Sequence, residues 1–285
     1  MCALCGIILE DHTADFPIGT MLYDMMESQQ IRAQDSAGVA VYTGENGRNG
    51  LYKIGYFRKT TNGYEVHEEQ VHPEDVAAHV RILEEDPHVL ISSFSREMKV
   101  VKDVGLARDL DRLYDIRSMK GSHGTGHLRI ATSSRVTPYN AHPFSTTAMP
   151  DVTVVHNGEI TNYRRLRDSL ELQGYRFHSD CDSEVIAVFI ADQMLKHGDA
   201  EKAHSEFVKR ADGPFTYIAA TPHSVALVRD NSGTRKGIVG YNPGNDRHPA
   251  FWAMATDLSA LDVVGATRRN TVETPEPGKP RIFYR

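Results

Sequence analysis

Cysteine is scarce in this sequence, with three residues among 285. Three thiols make no disulfide framework, and a chain of this length buries enough apolar surface to fold without one. Long hydrophobic runs are missing. No stretch approaches the roughly 20 apolar residues needed to span a bilayer. The N-terminal stretch lacks a basic segment and meets acid at Glu10 and Asp11, so it does not read as a secretory leader. A reduced, cytoplasmic compartment is the expectation, with no membrane partner. Basic excess is missing too. Lys and Arg number 32 against 38 Asp and Glu, a net charge of −6, which argues against a general nucleic-acid binder. No Gly-rich phosphate loop, flavin motif, internal repeat or low-complexity tract is found, and no cofactor is expected in this chain. What remains, 40% hydrophobic and 25% charged, is an ordinary globular composition.

Periodicity then organises the chain. Ala3 to Leu9 is short and apolar and predicts a buried strand. Ile18 to Ile31 places Ile18, Met21, Leu22, Met25 and Met26 at helical spacing. Val39 to Tyr42 reads as a strand, the Asn-Gly-containing segment Gly44 to Gly50 as a hairpin loop, and Leu51 to Phe57 as its return strand. From Tyr64 to Lys120 the chain is charged and helix-prone, as at Pro73 to Leu83, with a short strand at His88 to Ser92. That segment reads as an elaboration of one domain covering 1–285, with too few apolar residues for a core of its own. Val152 to His156 is a β-branched strand, Ile160 to Gln173 a helix stopped by Gly174, and Val185 to Leu195 a second helix capped by Ser179 to Glu184. Short strands follow at Phe215 to Ala220, Val225 to Arg229, Gly237 to Tyr241, Phe251 to Thr256 and Arg281 to Tyr284. Strands and helices come in runs, not in strict alternation, so the class is α+β with antiparallel sheets.

Several residues carry candidate chemistry. Cys2 follows the initiator Met. Once Met1 is removed, one residue holds both a thiol and an α-amine, and that amine titrates at about 7.7–8.0, suited to act as a base. A small buried cysteine at a strand start is the plainer alternative. Cys2 and Cys5 also form a C-x-x-C, but no second pair exists and Cys181 is far away, so no metal site is expected. His123 and His127 read as polar loop groups. Arg129 is able to fork two hydrogen bonds onto a carboxylate. Asn157-Gly158 is either a turn or an oxyanion hole built from a side-chain amide and a backbone N–H. Asp182 is either a helix cap or the partner of an ammonium group.

Order and context join these residues. Cys2, then Arg32-Ala33-Gln34-Asp35-Ser36-Ala37-Gly38, then Gly126-His127-Leu128-Arg129-Ile130-Ala131-Thr132, then Asn140-Ala141-His142-Pro143, then Val155-His156-Asn157-Gly158-Glu159-Ile160, then Asp182-Ser183-Glu184-Val185 resembles the class II glutamine amidotransferases. The resemblance covers roughly residues 2–58 and 121–265. It implies the N-terminal-nucleophile hydrolase fold, a four-layer αββα sandwich of two antiparallel sheets. It implies Cys2 as nucleophile, Asn157 and Gly158 as the oxyanion hole, and Arg129, Thr132, Asp182 and Arg32 as residues that bind L-glutamine. It further implies ammonia release to a partner synthase. Within the family, the stand-alone subunits of glutamate-synthase-like and N-methylglutamate-synthase-like assemblies look most similar, and such a partner would be flavin-dependent. Three positions depart from the family pattern. Ile130 stands where an aromatic or larger apolar residue often follows the loop Arg. Ala3 and Ala33 stand where glycines are usual, which favours a second reading, a weak or inactive glutamine-binding subunit with a regulatory or scaffold role. Cys5-Gly6-Ile7 also looks like the family's start, so Cys5 is the alternative nucleophile.

Overall fold

The first strand organises everything around it. In the computed structural model, which describes residues 2–12, 16–44, 50–131, 135–246, 248–267 and 271–285, β1 (Ala3–Leu9) is buried along its whole length. It lies between β13 (Phe251–Ala255) and β7 (His123–Arg129). Outside these run β12 (Ile238–Asn242) on one side, and β2 (Ser36–Tyr42) then β6 (Met98–Val104) on the other. Every pairing in this six-stranded sheet is antiparallel. A second antiparallel sheet has the order β14 (Arg281–Tyr284), β11 (Ser224–Arg229), β10 (Phe215–Thr221), β9 (Thr153–Gly158), β8 (Phe144–Ser145).

Strand alternation distributes the side chains into layers. On β1, Ala3, Cys5, Ile7 and Leu9 face α1 (Ile18–Ser28), with Ile18, Leu22, Met25 and Met26 packed against them. Leu4 and Ile8 face the other way, into a cluster between the sheets with Val155, Ile218, Leu227 and Met254. Helices α3 (Ala107–Tyr114) and α7 (Leu258–Val263) join α1 on the outer face of the six-stranded sheet. The outer face of the five-stranded sheet is covered by α4 (Tyr163–Glu171), α5 (Asp182–His197) and α6 (Ala200–Arg210), through Leu166, Ile186, Ile190 and Phe207. The result is the expected four-layer αββα sandwich.

Polar groups bridge the two sheets as well. The Tyr42 hydroxyl donates to the Ala220 carbonyl at 2.7 Å. His123 Nε2 bonds the Thr221 carbonyl at 2.8 Å, and His127 Nε2 the His156 carbonyl at 2.9 Å. Both histidines are therefore buried strand residues and not the loop groups expected from the glycines around them. Burial pushes each imidazole down, to about 3, so both are neutral hydrogen-bonding groups.

The segment after β2 departs most from expectation. Tyr42 does not enter a hairpin with the next strand; β2 pairs with β6 and β7 instead. Part of the proposed hairpin loop, residues 45–49, lies outside the described residues. The next strand, β3 (Tyr52–Thr60), pairs with β4 (Gly63–Val71) and β5 (Val89–Ser95) in a separate three-stranded sheet, covered by α2 (Val76–Glu85). Ile54, Tyr56, Val71, Leu83, Val89, Ile91 and Phe94 form an apolar cluster there, so this insertion does have a small core. β6 then returns the chain to the main sheet. Among the described residues no helix is long and apolar enough to cross a membrane.

Candidate active site at the start of the first strand

Cys2 sits where β1 begins, beside the end of β7. Its Sγ accepts a hydrogen bond from Ile130 N at 3.4 Å and lies 3.5 Å from the Ile130 carbonyl. Burial raises the thiol above its ordinary pKa, while the Ile130 N–H and the Arg129 guanidinium pull it down. Across the sandwich, Asn157 Nδ2 donates to the Cys2 carbonyl at 2.9 Å. A side-chain amide from the second sheet thus lies against the candidate nucleophile.

Parity separates the two cysteines. They are three residues apart, so their side chains point to opposite faces. Cys5 is fully buried under α1, with Sγ 4.0 Å from the Leu22 carbonyl, and burial pushes its thiol up to about 12. A thiol so placed is inert. All three cysteines are free, and the C-x-x-C is an accident of spacing. Among the described residues no three His, Cys, Asp or Glu side chains form a metal-binding group.

Asn157 and Gly158 are not a turn. They end β9, opposite Thr216 and Phe215. Gly158 has φ +131°, and a Cβ there would collide with the Pro214 carbonyl. Only glycine fits. This brings the strand end close to β10 and leaves Gly158 exposed beside Asn157.

Arg129 closes β7. It is 5% exposed, and its Nη1 donates to the Arg135 carbonyl at 3.3 Å. Its charge reaches both Cys2 and Cys181. Asp182 is the first residue of α5, the helix after Cys181. Its Oδ2 accepts from Ile160 N at 2.8 Å, and Oδ1 lies 3.3 Å from Ser183 Oγ. The bond to Ile160 fixes the carboxylate to the segment that follows Gly158. Asp182 therefore does not cap its own helix. Glu184 holds the approach to α5 instead, accepting from His178 N, Ser179 N and Ser179 Oγ at 2.8, 2.8 and 2.6 Å.

Arg32 arrives from the opposite side of β1. Its Nη1 pairs with Asp257 Oδ2 at 2.9 Å, and the neighbouring Thr256 N donates to the Leu4 carbonyl. Arg32 is thus held as half of an ion pair. Thr132, like Met1, lies outside the described residues. The site also contains residues the sequence reading passed over. Asp35 Oδ2 accepts from Ala131 N at 2.7 Å while its own N–H donates to the Arg129 carbonyl, so it braces both sides of that arginine's turn. Ser183 Oγ bonds His156 Nδ1 at 2.8 Å in the floor below Asp182. Only their membership of the quoted motifs signalled either residue.

The two alanines that replace glycines are unstrained. Ala3 lies in the strand with 2% exposure and packs into the helix-side core. Ala33 has φ −157° and ψ 135°, extended backbone that any residue adopts. Neither position has a backbone that needs a glycine.

The sandwich has the N-terminal-nucleophile hydrolase fold. Two solved chains share this fold. The glutamine phosphoribosylpyrophosphate amidotransferase of B. subtilis superposes with a TM-score of 0.64 at 19% identity, over 99% of this chain and 49% of that one. The allosteric regulatory enzyme of purine biosynthesis gives 0.68 at 20%, over 99% and 47%. This chain spans about half the length of each. A family model for the glutamine amidotransferase domain matches residues 127–261. Full-length relatives also exist. A chain from Methanothermobacter thermautotrophicus, provisionally named a glutamine amidotransferase, is 31% identical over 99% of both proteins. The glutamine amidotransferase-like protein GlxB of Rhizobium meliloti is 29% identical over 97% of this chain and 96% of that one. The chain belongs to the class II glutamine amidotransferase family and is an amidotransferase enzyme.

Proposed function

We propose that this chain hydrolyses the side-chain amide of glutamine to glutamate and ammonia, and that it hands the ammonia to a partner synthase. One observation carries the reading: the Asn157 amide lies against Cys2, with Arg129 near the same thiol and Asp182 anchored beyond Gly158. In this scheme Arg129 pairs with the substrate's α-carboxylate and Asp182 with its α-ammonium group. That places the amide carbon at Cys2. The thiol gives its proton to the Cys2 α-amine, and sulfur attacks the amide carbon. Asn157 and Gly158 hold the oxyanion as it develops; such donors typically contribute about 3–4 kcal/mol each. The tetrahedral adduct collapses, the C–N bond breaks, and ammonia leaves with a proton from the amine. Water then adds to the thioester and releases glutamate. No cofactor in this chain takes part.

The amine acts as base only once Met1 is removed, because an acylated nitrogen is not basic. A flavin-dependent synthase of the glutamate-synthase-like kind is the partner this reading favours. The test is glutamate release from glutamine by the purified protein, together with its intact mass. The expected result is turnover by a chain that starts at Cys2. Turnover by a chain that retains Met1 overturns the base assignment, and no glutamate with or without the partner overturns the activity.

A further inference from the structure

The three-stranded sheet and α2 take no part in the chemistry above, yet they reach the loop that delivers Asp182. Glu84 lies near the C-terminal end of α2, its side chain only 10% exposed. Its Oε2 is 3.2 Å from Arg176 Nε, and its Oε1 is 3.6 Å from His178 Nε2. Thr147 Oγ1 donates to the same Oε1 at 3.4 Å. Arg176 and His178 belong to the loop 175–181 that leads into α5. Tyr175 and Phe177 of this loop pack against the core under α4 and α5, and the links from His178 onward are polar. Glu184 takes the His178 and Ser179 N–H groups, Arg167 Nη1 donates to the Ser179 carbonyl at 2.8 Å, and Cys181 N donates to Ser179 Oγ at 3.2 Å. Asp182 is the next residue. Pockets of about 350 and 310 Å³ flank Glu84, and its polar contacts bridge α2 to the loop between them. The insertion also touches the loop after Arg129, where Tyr64 of β4 packs edge-on against Tyr139 with ring centroids 5.3 Å apart.

We propose that Glu84 is a positioning residue for the glutamine site. Through Arg176 and His178 it holds the loop 175–181, and with it the Asp182 carboxylate, in the pose that receives the substrate's ammonium group. This rests on the reading of Asp182 given above. A change in how α2 sits, for instance when a partner binds the insertion, would be felt at the substrate's amino-acid end and not at the thiol. The effect therefore belongs in KM and not in kcat.

Steady-state glutaminase kinetics on the full chain test this. Glu84→Gln should raise the glutamine KM about fivefold and leave kcat within about twofold, the size expected of a coupling that acts through intermediate residues. Arg176→Gln should do the same. The double variant should add little to Glu84→Gln, since the contact that Arg176 makes is already broken there. Lys209→Gln is the control. It breaks the 2.8 Å ion pair between Lys209 and Glu206 on α6, away from α2 and the loop, and should leave KM unchanged. If Glu84→Gln does not fold, Arg176→Gln, whose side chain is largely exposed, carries the test alone. A wild-type KM in both variants overturns the proposal, and so does an equal rise in Lys209→Gln, which would mean general loosening. Asp182→Asn separates the two levels. If it raises KM while Glu84→Gln does not, only the positioning role falls. If Asp182→Asn leaves KM unchanged, the substrate reading itself falls.

Discussion

The sandwich and the insertion are both antiparallel β structure with a helix packed on them, yet they bury their strands differently. In the sandwich, β1, β2, β7, β10 and β11 are buried at every position. In the insertion, β4 is buried only at Val71, its last residue. One region has apolar layers on both faces of each sheet, and the other has a single small cluster on one face. A site that must hold strand ends from both sheets against one cysteine needs the first kind of support. A surface that holds a loop, or meets a partner, manages with the second.

The largest effect that sharpens the contrast comes from the two cysteines of β1. Cys2→Ala should lower glutaminase turnover by about three orders of magnitude or more, since no other group in the scheme forms the covalent bond. Cys5→Ala should keep most of the activity and lose stability, because it opens a small gap under α1. Glutamate release and a denaturation curve on each variant decide this, and the reverse outcome would mean that the register is wrong. Next is Gly158→Ala. A Cβ driven against the Pro214 carbonyl displaces the oxyanion donors, and the expected loss in kcat is about a hundredfold. Wild-type kcat in that variant removes Gly158 from the site.

Stability then compares the regions directly. Phe207, fully buried between α6 and the five-stranded sheet, should cost about 3–5 kcal/mol on truncation to Ala, and Leu83 in the insertion about 2 kcal/mol. Urea unfolding measures both, and equal losses would show that the insertion is as tightly packed as the sandwich. Lys102 tests the seam between them. It is buried on β6, with Nζ donating to the Tyr139 and Pro143 carbonyls, and burial lowers its pKa to about 8. A free lysine titrates near 10.4. Between these values the unfolded chain binds more protons than the folded one, so stability rises with pH there. Compared with Lys102→Met, the wild type should gain about 2 kcal/mol between pH 7.5 and 9.5. Parallel pH dependences in the two proteins would place Lys102 in contact with solvent.

What the sequence revealed follows the same division. The strands of the last third were legible because each is an apolar run between turn residues, as at Val225 to Arg229. β4 was not. Gly-Tyr-Glu-Val-His-Glu-Glu-Gln-Val is polar enough to pass for a surface segment, and most of it is surface. The local turn chemistry of Gly44 to Gly50 misled, because β2 finds its partners near residues 100 and 125. α6 was passed over, although Asp199 caps it and Ala203, Phe207 and His204, Val208 carry the helical period. At the site, the order of motifs named the candidate residues. It did not show that Asp182 is tied to Ile160, nor that Arg32 pairs with Asp257, because both contacts are made by folding and leave no trace in spacing.

The bonds that cross between the two sheets have a mechanical consequence. Tyr42, His123, His127 and Asn157 each reach a carbonyl on the opposite sheet or strand, from one end of the sandwich to the other. An interface of methyl groups alone would let one sheet slip against the other at small cost. These four links act as keys in a joint, since any sliding would break several buried hydrogen bonds together. The layers therefore move as one block. Whatever opens to admit substrate and closes again must be found in the loops around Cys2, so structures with and without glutamine should superpose strand for strand.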